Sequence, residues 1–283
     1  MANGVTTVSL EQIEEKVKQQ KTALRRSERR AELIYPVLVA AALLLLWEAV
    51  SRFFGVPEYL FPTPSAIIAT TVNNWALLLT ETWITTVEIL LGYFASILIG
   101  VPLALAIFHW PVFAKSIYPL LISTQAMPKV AVAPLLVVWF GFGLMPKVLI
   151  AFLIAFFPIV INTVVGLSSL EREKIHLAQS MGLSRFDTFR LIRLPHALPS
   201  LFAGLKISIT LAVVGAVVGE FVGGDGGLGY QLMVANGAMD TPLLFAGIVV
   251  LTLLGLVLFW MVEAAERWAM PYQDRITGMG ISS

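Results

Sequence analysis

The stretch Glu171–Leu205, EREKIHLAQSMGLSRFDTFRLIRLPHALPSLFAGL, decides how the whole chain is interpreted. It is the one long polar, charged interruption in the apolar part of the sequence. Together with Lys206 it holds six of the nineteen Lys and Arg residues. The pattern predicts two short helices hinged at Gly182 and closed by Pro195 and Pro199. A charged, ordered stretch of this kind is typical of a surface outside the membrane that a partner holds.

Composition places the rest of the chain in a membrane. The 283 residues are 58% hydrophobic and 13% charged, with a mean hydropathy of +0.84, whereas a soluble domain carries roughly 25% charged residues. The net charge of +1 gives no reason to expect nucleic-acid binding, and the absence of cysteine excludes disulfides and thiolate metal sites. The composition therefore predicts an all-α polytopic membrane protein.

Six apolar runs are long enough to span a bilayer. We expect them at about residues 33–54, 81–108, 113–140, 145–167, 201–222 and 243–266. Pro128 and Pro134 interrupt the third run and predict a broken helix there. Between the first two runs, a Pro-rich entry predicts a short helix capped by Thr63 or Ser65.

The Lys and Arg residues set the expected orientation. With six spans, the polar segment 1–32, the segment 171–200 and the tail 269–283 all lie on one side. Counted with Lys115, Lys206 and Arg267 at the ends of the adjoining spans, that side holds sixteen of the nineteen basic residues. The loop 223–242 has none. Because cytoplasmic loops carry the excess of Lys and Arg, both termini and the segment 171–200 are predicted to be cytoplasmic.

The spacing within the basic stretch resembles a known signature. Nine residues separate Gly182 from Ile192, and Leu194-Pro195 follow after one more. This resembles the cytoplasmic Glu-Ala-Ala signature of permeases of ABC importers. His176-Leu177-Ala178 occupy the Glu-Ala-Ala positions, so only the alanine of the first half matches.

Further runs extend the resemblance over about residues 35–268. They are Trp47-Glu48 with FGVPEYLFPTPSAI, MPKVAVAPLLVVWFGFG, AFFPIVINTVVG and the run Gly-Asp-Gly-Gly-Leu-Gly-Tyr at 224–230, and they are similar to the nitrate, sulfonate and taurine branch. The resemblance implies a type I ABC-importer transmembrane fold in the bacterial inner membrane, with a permease domain at 33–268. It also implies a homodimer, two cytoplasmic ATPase subunits carrying ATP and magnesium, and an external substrate-binding protein. The permease itself would carry no cofactor.

We call residues 171–200 the coupling loop, since the resemblance makes them the lever on which the ATPases act. Ser184 is expected to cap the second helix with Asp187 three residues on, and Phe186, Phe189 and Leu191 to offer apolar knobs. Pro195 is expected to end the helix. The residues assigned to ATPase coupling are His176, Ala178, Gly182, Ser184, Arg185, Phe186, Phe189, Ile192, Leu194 and Pro195.

A second set of residues is expected to form the translocation path. Lys129, an ionisable residue in a membrane run, would attract an anionic substrate or pair with Glu88 or Glu220. Small residues of span five either pack against another helix or leave room for a path. The set is Gln125, Pro128, Lys129, Pro134, Ser208, Ala212, Gly215 and Glu220. Glu220 would gate, pair with Lys129, or cap the glycine-rich loop.

Other functions are less consistent with the sequence. A secondary transporter or channel would use the membrane path but leave the coupling loop without a purpose. An intramembrane enzyme needs a reactive constellation that the sequence does not offer, and the three histidines have no metal-ligand spacing. The expected substrate is a small anion such as a sulfonate, nitrate, bicarbonate or carboxylate. The alternative is a thiamine-precursor pyrimidine or a flavin.

Overall fold

The computed structural model describes residues 34–271, and every regular element among them is helical. The expectations for residues 1–33 and 272–283 lie outside the described residues. The chain divides into two compact units after Ala66.

The first unit contains helix α1, Ile34–Phe53, which is apolar and long enough to cross a membrane. Near its end Glu48 accepts hydrogen bonds from the backbone N–H and the hydroxyl of Ser65, at 3.0 and 2.8 Å. Thr63 caps the following helix, because its Oγ1 accepts from the N–H of Ala66 at 3.2 Å. Of the two caps expected, Thr63 is therefore the one that binds the helix backbone.

The remaining helices follow in chain order. They are α2 Pro64–Asn73, α3 Trp75–His109, α4 Pro111–Gln125, a 3₁₀ turn Lys129–Val132, α5 Ala133–Phe140, α6 Leu144–Ser168, α7 Arg172–Ser180, α8 Arg185–Thr188, a π-helical turn Phe189–Arg193, α9 Leu194–Gly223, α10 Leu228–Gly237 and α11 Thr241–Ala269. Five described helices are long and apolar enough to cross a membrane, or six spans if one bent pair counts as a single span. The predicted number of spans is confirmed in this form.

The bent pair is the predicted broken span. Helix α4 and the segment Lys129–Phe140 meet at an angle of 90°. Pro128 precedes the 3₁₀ turn and Pro134 sits in the first turn of α5, positions where the missing N–H of proline costs little. The prolines therefore place the break between residues 125 and 133.

The centre of the second unit is the contact of α6 with α9 and α3. A Cβ on Gly215 of α9 would lie 2.6 Å from the Cα of Ala151 on α6, so only glycine permits this approach. Ile89, Ala155 and Ala212 are completely buried around it. Small residues thus let the helix backbones pack directly, which is the usual means of helix association within a bilayer.

The fifth span begins earlier than predicted. Pro195 was expected to end the helix of the coupling loop, and that expectation is wrong, as is the start of the span at residue 201. The backbone stays helical from Arg185 to Gly223, and Pro195 lies in the first turn of α9. The π-helical turn accounts for this: the N–H of Leu194 donates to the carbonyl of Phe189, and the widened turn accommodates a proline that has no N–H.

Candidate functional site

The first helix of the coupling loop ends in a turn that requires glycine. Gly182 has a φ of +88°, its N–H donates to Gln179 O at 3.0 Å, and the N–H of Leu183 donates to Ala178 O at 3.1 Å. This pair of bonds is the Schellman motif, in which the residue after the helix adopts the left-handed conformation. Ala178 is buried beneath the turn. The predicted hinge at Gly182 is confirmed.

The second helix begins with the predicted capping arrangement. The hydroxyl of Ser184 accepts from the N–H of Asp187 at 3.1 Å and donates to the Asp187 carboxylate at 2.5 Å. An acid in the first turn also faces the positive end of the helix. The two short helices are therefore held at a defined angle by local bonds at each side of Gly182.

The coupling loop exposes large apolar side chains. Leu177, Met181, Phe186 and Leu191 are 64, 73, 69 and 62% exposed. They stand among charged residues, on the side of the chain predicted to be cytoplasmic, where no lipid would cover them. Exposed apolar side chains in a charged segment are typical of a surface that binds another protein.

Phe189 is half-buried and less exposed than those four side chains, and its role as an apolar knob for the ATPase stays a prediction. Its ring lies 5.3 Å from the His109 ring and 6.4 Å from the Phe108 ring, centroid to centroid. Arg193 lies over Phe108 at 4.8 Å and donates to the carbonyl of Leu167 at 3.3 Å. The π-helical turn is thereby fastened to the adjacent ends of α3 and α6.

The other residues assigned to ATPase coupling differ in exposure. Ser184, Arg185 and His176 are exposed, whereas Ile192 and Pro195 are half-buried and Leu194 is 38% exposed. His176, at the position of the signature glutamate, thus lies on the accessible face of α7. Its role in coupling stays a prediction.

Lys129 lies beside an aromatic ring of α6, and its assignment to the translocation path stays a prediction. Its ammonium stands 4.5 Å from the centroid of Phe157, which is near the midpoint of α6. Cations bind the face of such rings. Gln125, Pro128 and Pro134 are exposed around the break, and Lys129 is partly exposed.

The expected pairing of Lys129 with Glu88 or Glu220 is wrong. Among the described residues those two acids lie against a different lysine, Lys147, and against the glycine-rich loop. The charge of Lys129 is met by the Phe157 ring instead.

Ser208, Ala212 and Gly215 are buried between α9 and its neighbours. The hydroxyl of Ser208 donates to the carbonyl of Ala155 at 2.7 Å, and Ala212 is fully buried. These contacts describe helix packing. Their assignment to the translocation path stays a prediction.

A buried polar cluster occupies the opposite end of the same helices from the coupling loop. We define it as Glu81, Thr85, Glu88, Lys147, Glu220 and Asp225. Lys147 is its centre: the ammonium donates to Glu88 at 2.9 Å, to Asp225 at 3.0 Å and to the carbonyl of Gly226 at 3.1 Å. An ammonium has three donors, and all three are used here.

The acids of the polar cluster bind the glycine-rich loop. Glu81 accepts from the N–H of Gly227 and Glu220 from the N–H of Gly229, while Thr85 accepts from Leu228 N–H at 2.7 Å and donates to Glu220 at 2.6 Å. A Cβ on Gly227, whose φ is +107°, would collide with the Glu220 carboxyl. Of the roles considered for Glu220, capping this loop is the one found.

The members of the polar cluster differ sharply in exposure. The side chains of Lys147 and Glu88 are 2 and 1% exposed, and that of Asp225 is 73% exposed. The hydrogen bond from Lys147, together with its charge, lowers the pKa of the Asp225 carboxyl below its ordinary 3.8. Asp225 is therefore a fixed negative charge at neutral pH.

Sequence reasoning missed Lys147 as a candidate. Lys129 drew attention because two prolines flank it, whereas Lys147 stands near the start of an apolar run and looks like an interfacial lysine. The signal was available on α3: Glu81, Thr85 and Glu88 recur at four- and three-residue spacing. Such spacing puts them on one helix face, and buried acids require a cation.

Comparison with known proteins agrees with this geometry. The family described as "Binding-protein-dependent transport system inner membrane component" matches residues 92–270. The formylaminopyrimidine transport permease protein ThiX of Halalkalibacterium halodurans is 35% identical over 88% of this chain and 99% of its own length. The riboflavin transport system permease protein RibX of Chloroflexus aurantiacus is 39% identical over 80% of this chain and 85% of its own. The taurine transport system permease protein TauC of Escherichia coli is 30% identical over 67% of this chain and 69% of its own.

A solved structure has the same fold. An inward-facing conformation of the MetNI methionine ABC transporter superposes with a TM-score of 0.59 at 20% identity, over 68% of this chain and 96% of that chain. The similarity supports the type I importer fold predicted from the sequence.

Proposed function

Because this chain belongs to the family of inner membrane components of binding-protein-dependent transport systems, it is a multi-pass ABC permease subunit, and we propose how it is driven and what it carries. In this proposal two copies form the membrane path, two cytoplasmic ATPases bind ATP and magnesium, and an external binding protein delivers the solute. The permease performs no chemistry of its own.

The observation that carries the proposal is the exposed apolar face of the coupling loop, formed by Leu177, Met181, Phe186 and Leu191. A rigid partner surface that covers these side chains would grip two helices whose angle is fixed by the Gly182 turn and the Ser184 cap. A motion of the partner would therefore move the loop as one body.

The contacts of the loop give that motion a route into the membrane. Helical backbone runs without a break from Arg185 to Gly223, so α9 would move with the loop. Phe189 and Arg193 would carry the same motion to the ends of α3 and α6. When ATP draws the two ATPases together, the levers would approach each other and the path would turn from inward to outward facing; hydrolysis would reset it.

The substrate class we favour is a small aromatic heterocycle. The relatives named for formylaminopyrimidine and riboflavin are more similar to this chain, at 35 and 39% identity, than the taurine relative at 30%. Lys129 on the Phe157 ring, at mid-depth of α6, suits such a ligand, because an aromatic heterocycle can replace Phe157 against the ammonium.

A small anion is the second candidate, favoured by the positive charge of Lys129. Here the ammonium would leave the ring and bind a sulfonate or carboxylate directly. The taurine relative supports this alternative.

Two measurements test the proposal. Uptake is measured in liposomes that contain the permease alone or with its ATPase and binding protein, and we expect uptake only in the complete system with ATP. Uptake by the permease alone would favour a secondary transporter or channel. Mass spectrometry of the ligand retained by the cognate binding protein then identifies the solute: a heterocycle supports the favoured class, and a sulfonate or other small anion replaces it.

A further inference from the structure

We infer that Lys147 is a positioning residue for transport. Through the polar cluster it holds the external glycine-rich loop, residues 224–229, against α3 and α6 as a latch. Opening of the outer side then requires Asp225 to separate from Lys147. This inference rests on the proposed function. It concerns the external end of the path, which the coupling loop does not touch.

The first ground is connectivity. Lys147 on α6 joins Glu88 on α3 to Asp225 and the carbonyl of Gly226 in the loop. Three successive N–H groups of the loop, at residues 227–229, bind side chains of α3 and α9. The loop is thus fixed to three membrane helices at once.

The second ground is mechanical. The loop directly follows α9, which is continuous with the coupling helix α8. Gly219 of α9 lies so close to Lys147 that a Cβ there would stand 2.7 Å from the Lys147 Cα. Any sliding or rotation of α9 against α6 therefore acts on Lys147 and on the loop together.

The third ground is the uneven burial of the ion pairs. Glu88 and Lys147 are almost fully buried, and separating such a pair leaves an unpaired charge in a dry site. Asp225 is 73% exposed, so water solvates its carboxylate when this bond breaks, and Lys147 keeps Glu88 as its charge partner. The Lys147–Glu88 pair is the fixed part of the latch, and the Lys147–Asp225 pair is the part that opens.

A cysteine reporter makes the latch measurable. The native sequence has no cysteine, so Leu228→Cys provides a single thiol in this chain, at a loop position whose side chain is 0% exposed. The complete transporter in liposomes is treated with a membrane-impermeant maleimide, and the labelling rate reports how often the loop opens. Ala235→Cys, at 1% exposure on the adjacent α10, serves as a second reporter.

The latch variants are Asp225→Asn and Asp225→Glu. We expect Asp225→Asn to raise the labelling rate about two- to fivefold, the factor that a partly exposed ion pair contributes, and Asp225→Glu to keep the parent rate. The matched control is Asp240→Asn, which removes one carboxylate from the same inter-span segment 223–242 while retaining the cap that Asp240 provides to Leu243 N–H. It should leave the labelling rate unchanged.

A second readout separates a latch from mere stability. ATP consumed per solute imported should rise in Asp225→Asn at unchanged melting temperature. Equal labelling in Asp225→Asn and Asp240→Asn would overturn the inference, and so would faster labelling seen only with a lowered melting temperature. Either result would overturn the latch alone and would not affect the proposed function. The proposed function is refuted separately, if the parent transporter shows no ATP-driven uptake.

Discussion

Replacing Gly182 tests whether the shape of the coupling loop transmits force. Gly182 has a φ of +88°, and a Cβ built on it meets nothing within 4 Å. Steric crowding therefore adds nothing to the free-energy cost of replacing Gly182, and the whole cost comes from the backbone conformation. A residue with a Cβ pays about 1–2 kcal/mol in the left-handed region, and a β-branched residue lies at the upper end because it is a true outlier there.

The size of this penalty predicts a graded series. A penalty of about 1–2 kcal/mol lowers the equilibrium constant for the native turn by a factor of about 5–30, so Gly182→Val should raise the ATP consumed per solute imported. Gly182→Ala should show a smaller rise. Gly182→Asn is the matched control, because asparagine visits the left-handed region readily, and it should stay close to the parent.

The assay is uptake and ATP hydrolysis measured together in liposomes that contain the complete transporter. Normal coupling in Gly182→Val would refute the lever argument. Equal loss in the valine and asparagine variants would also refute it, since the effect would then not follow the backbone preference.

Three further predictions concern the membrane path, the helix packing and the cap. Lys129→Ala should lower the uptake rate while assembly with the ATPase, measured by co-purification, stays intact. The control Lys115→Ala, on the half of α4 predicted to be cytoplasmic, should leave the uptake rate unchanged. An unchanged uptake rate in Lys129→Ala would remove Lys129 from the path. Gly215→Ala should lower the melting temperature in detergent, because overpacking a tight contact costs about 1–3 kcal/mol. The control Gly237→Ala, whose Cβ meets nothing within 4 Å, should keep the melting temperature of the parent. Equal melting temperatures for the two variants would contradict the close packing of α9 on α6. Ser184→Ala should weaken the second coupling helix by about 1 kcal/mol and reduce binding of the ATPase in a titration. Ser184→Thr keeps a hydroxyl that can accept from the Asp187 N–H and donate to the Asp187 carboxylate, and it should bind normally. Full binding by the alanine variant would show that the cap is dispensable.

The features that the sequence predicted well are local ones. Span number follows from run length and hydropathy, the break at residues 125–133 follows from two prolines, and the turn at Gly182 and the cap at Ser184 need only a few neighbouring residues. Each depends on backbone rules that act within a single turn or helix.

The features that it missed depend on how helices face each other. Lys129 and Lys147 are both lone lysines in apolar runs, and hydropathy cannot show which one faces Glu88, since that depends on the rotation of α6 about its axis. Pro195 was misjudged because a proline normally stops a helix, and only the π-helical turn before it removes that conflict. The contact of the Phe189 ring with the end of α3 was likewise not visible in the sequence.

The central claim is that the exposed face of the coupling loop is where the ATPase binds. A photo-crosslinking phenylalanine analogue at position 186, which is 69% exposed, tests this in the intact membrane. The control places the same analogue at position 142, which is 77% exposed on the side predicted to be external. If the ATPase binds the coupling loop, it is crosslinked from position 186 and not from position 142. No crosslink from position 186, or equal crosslinking from both positions, would contradict this binding site.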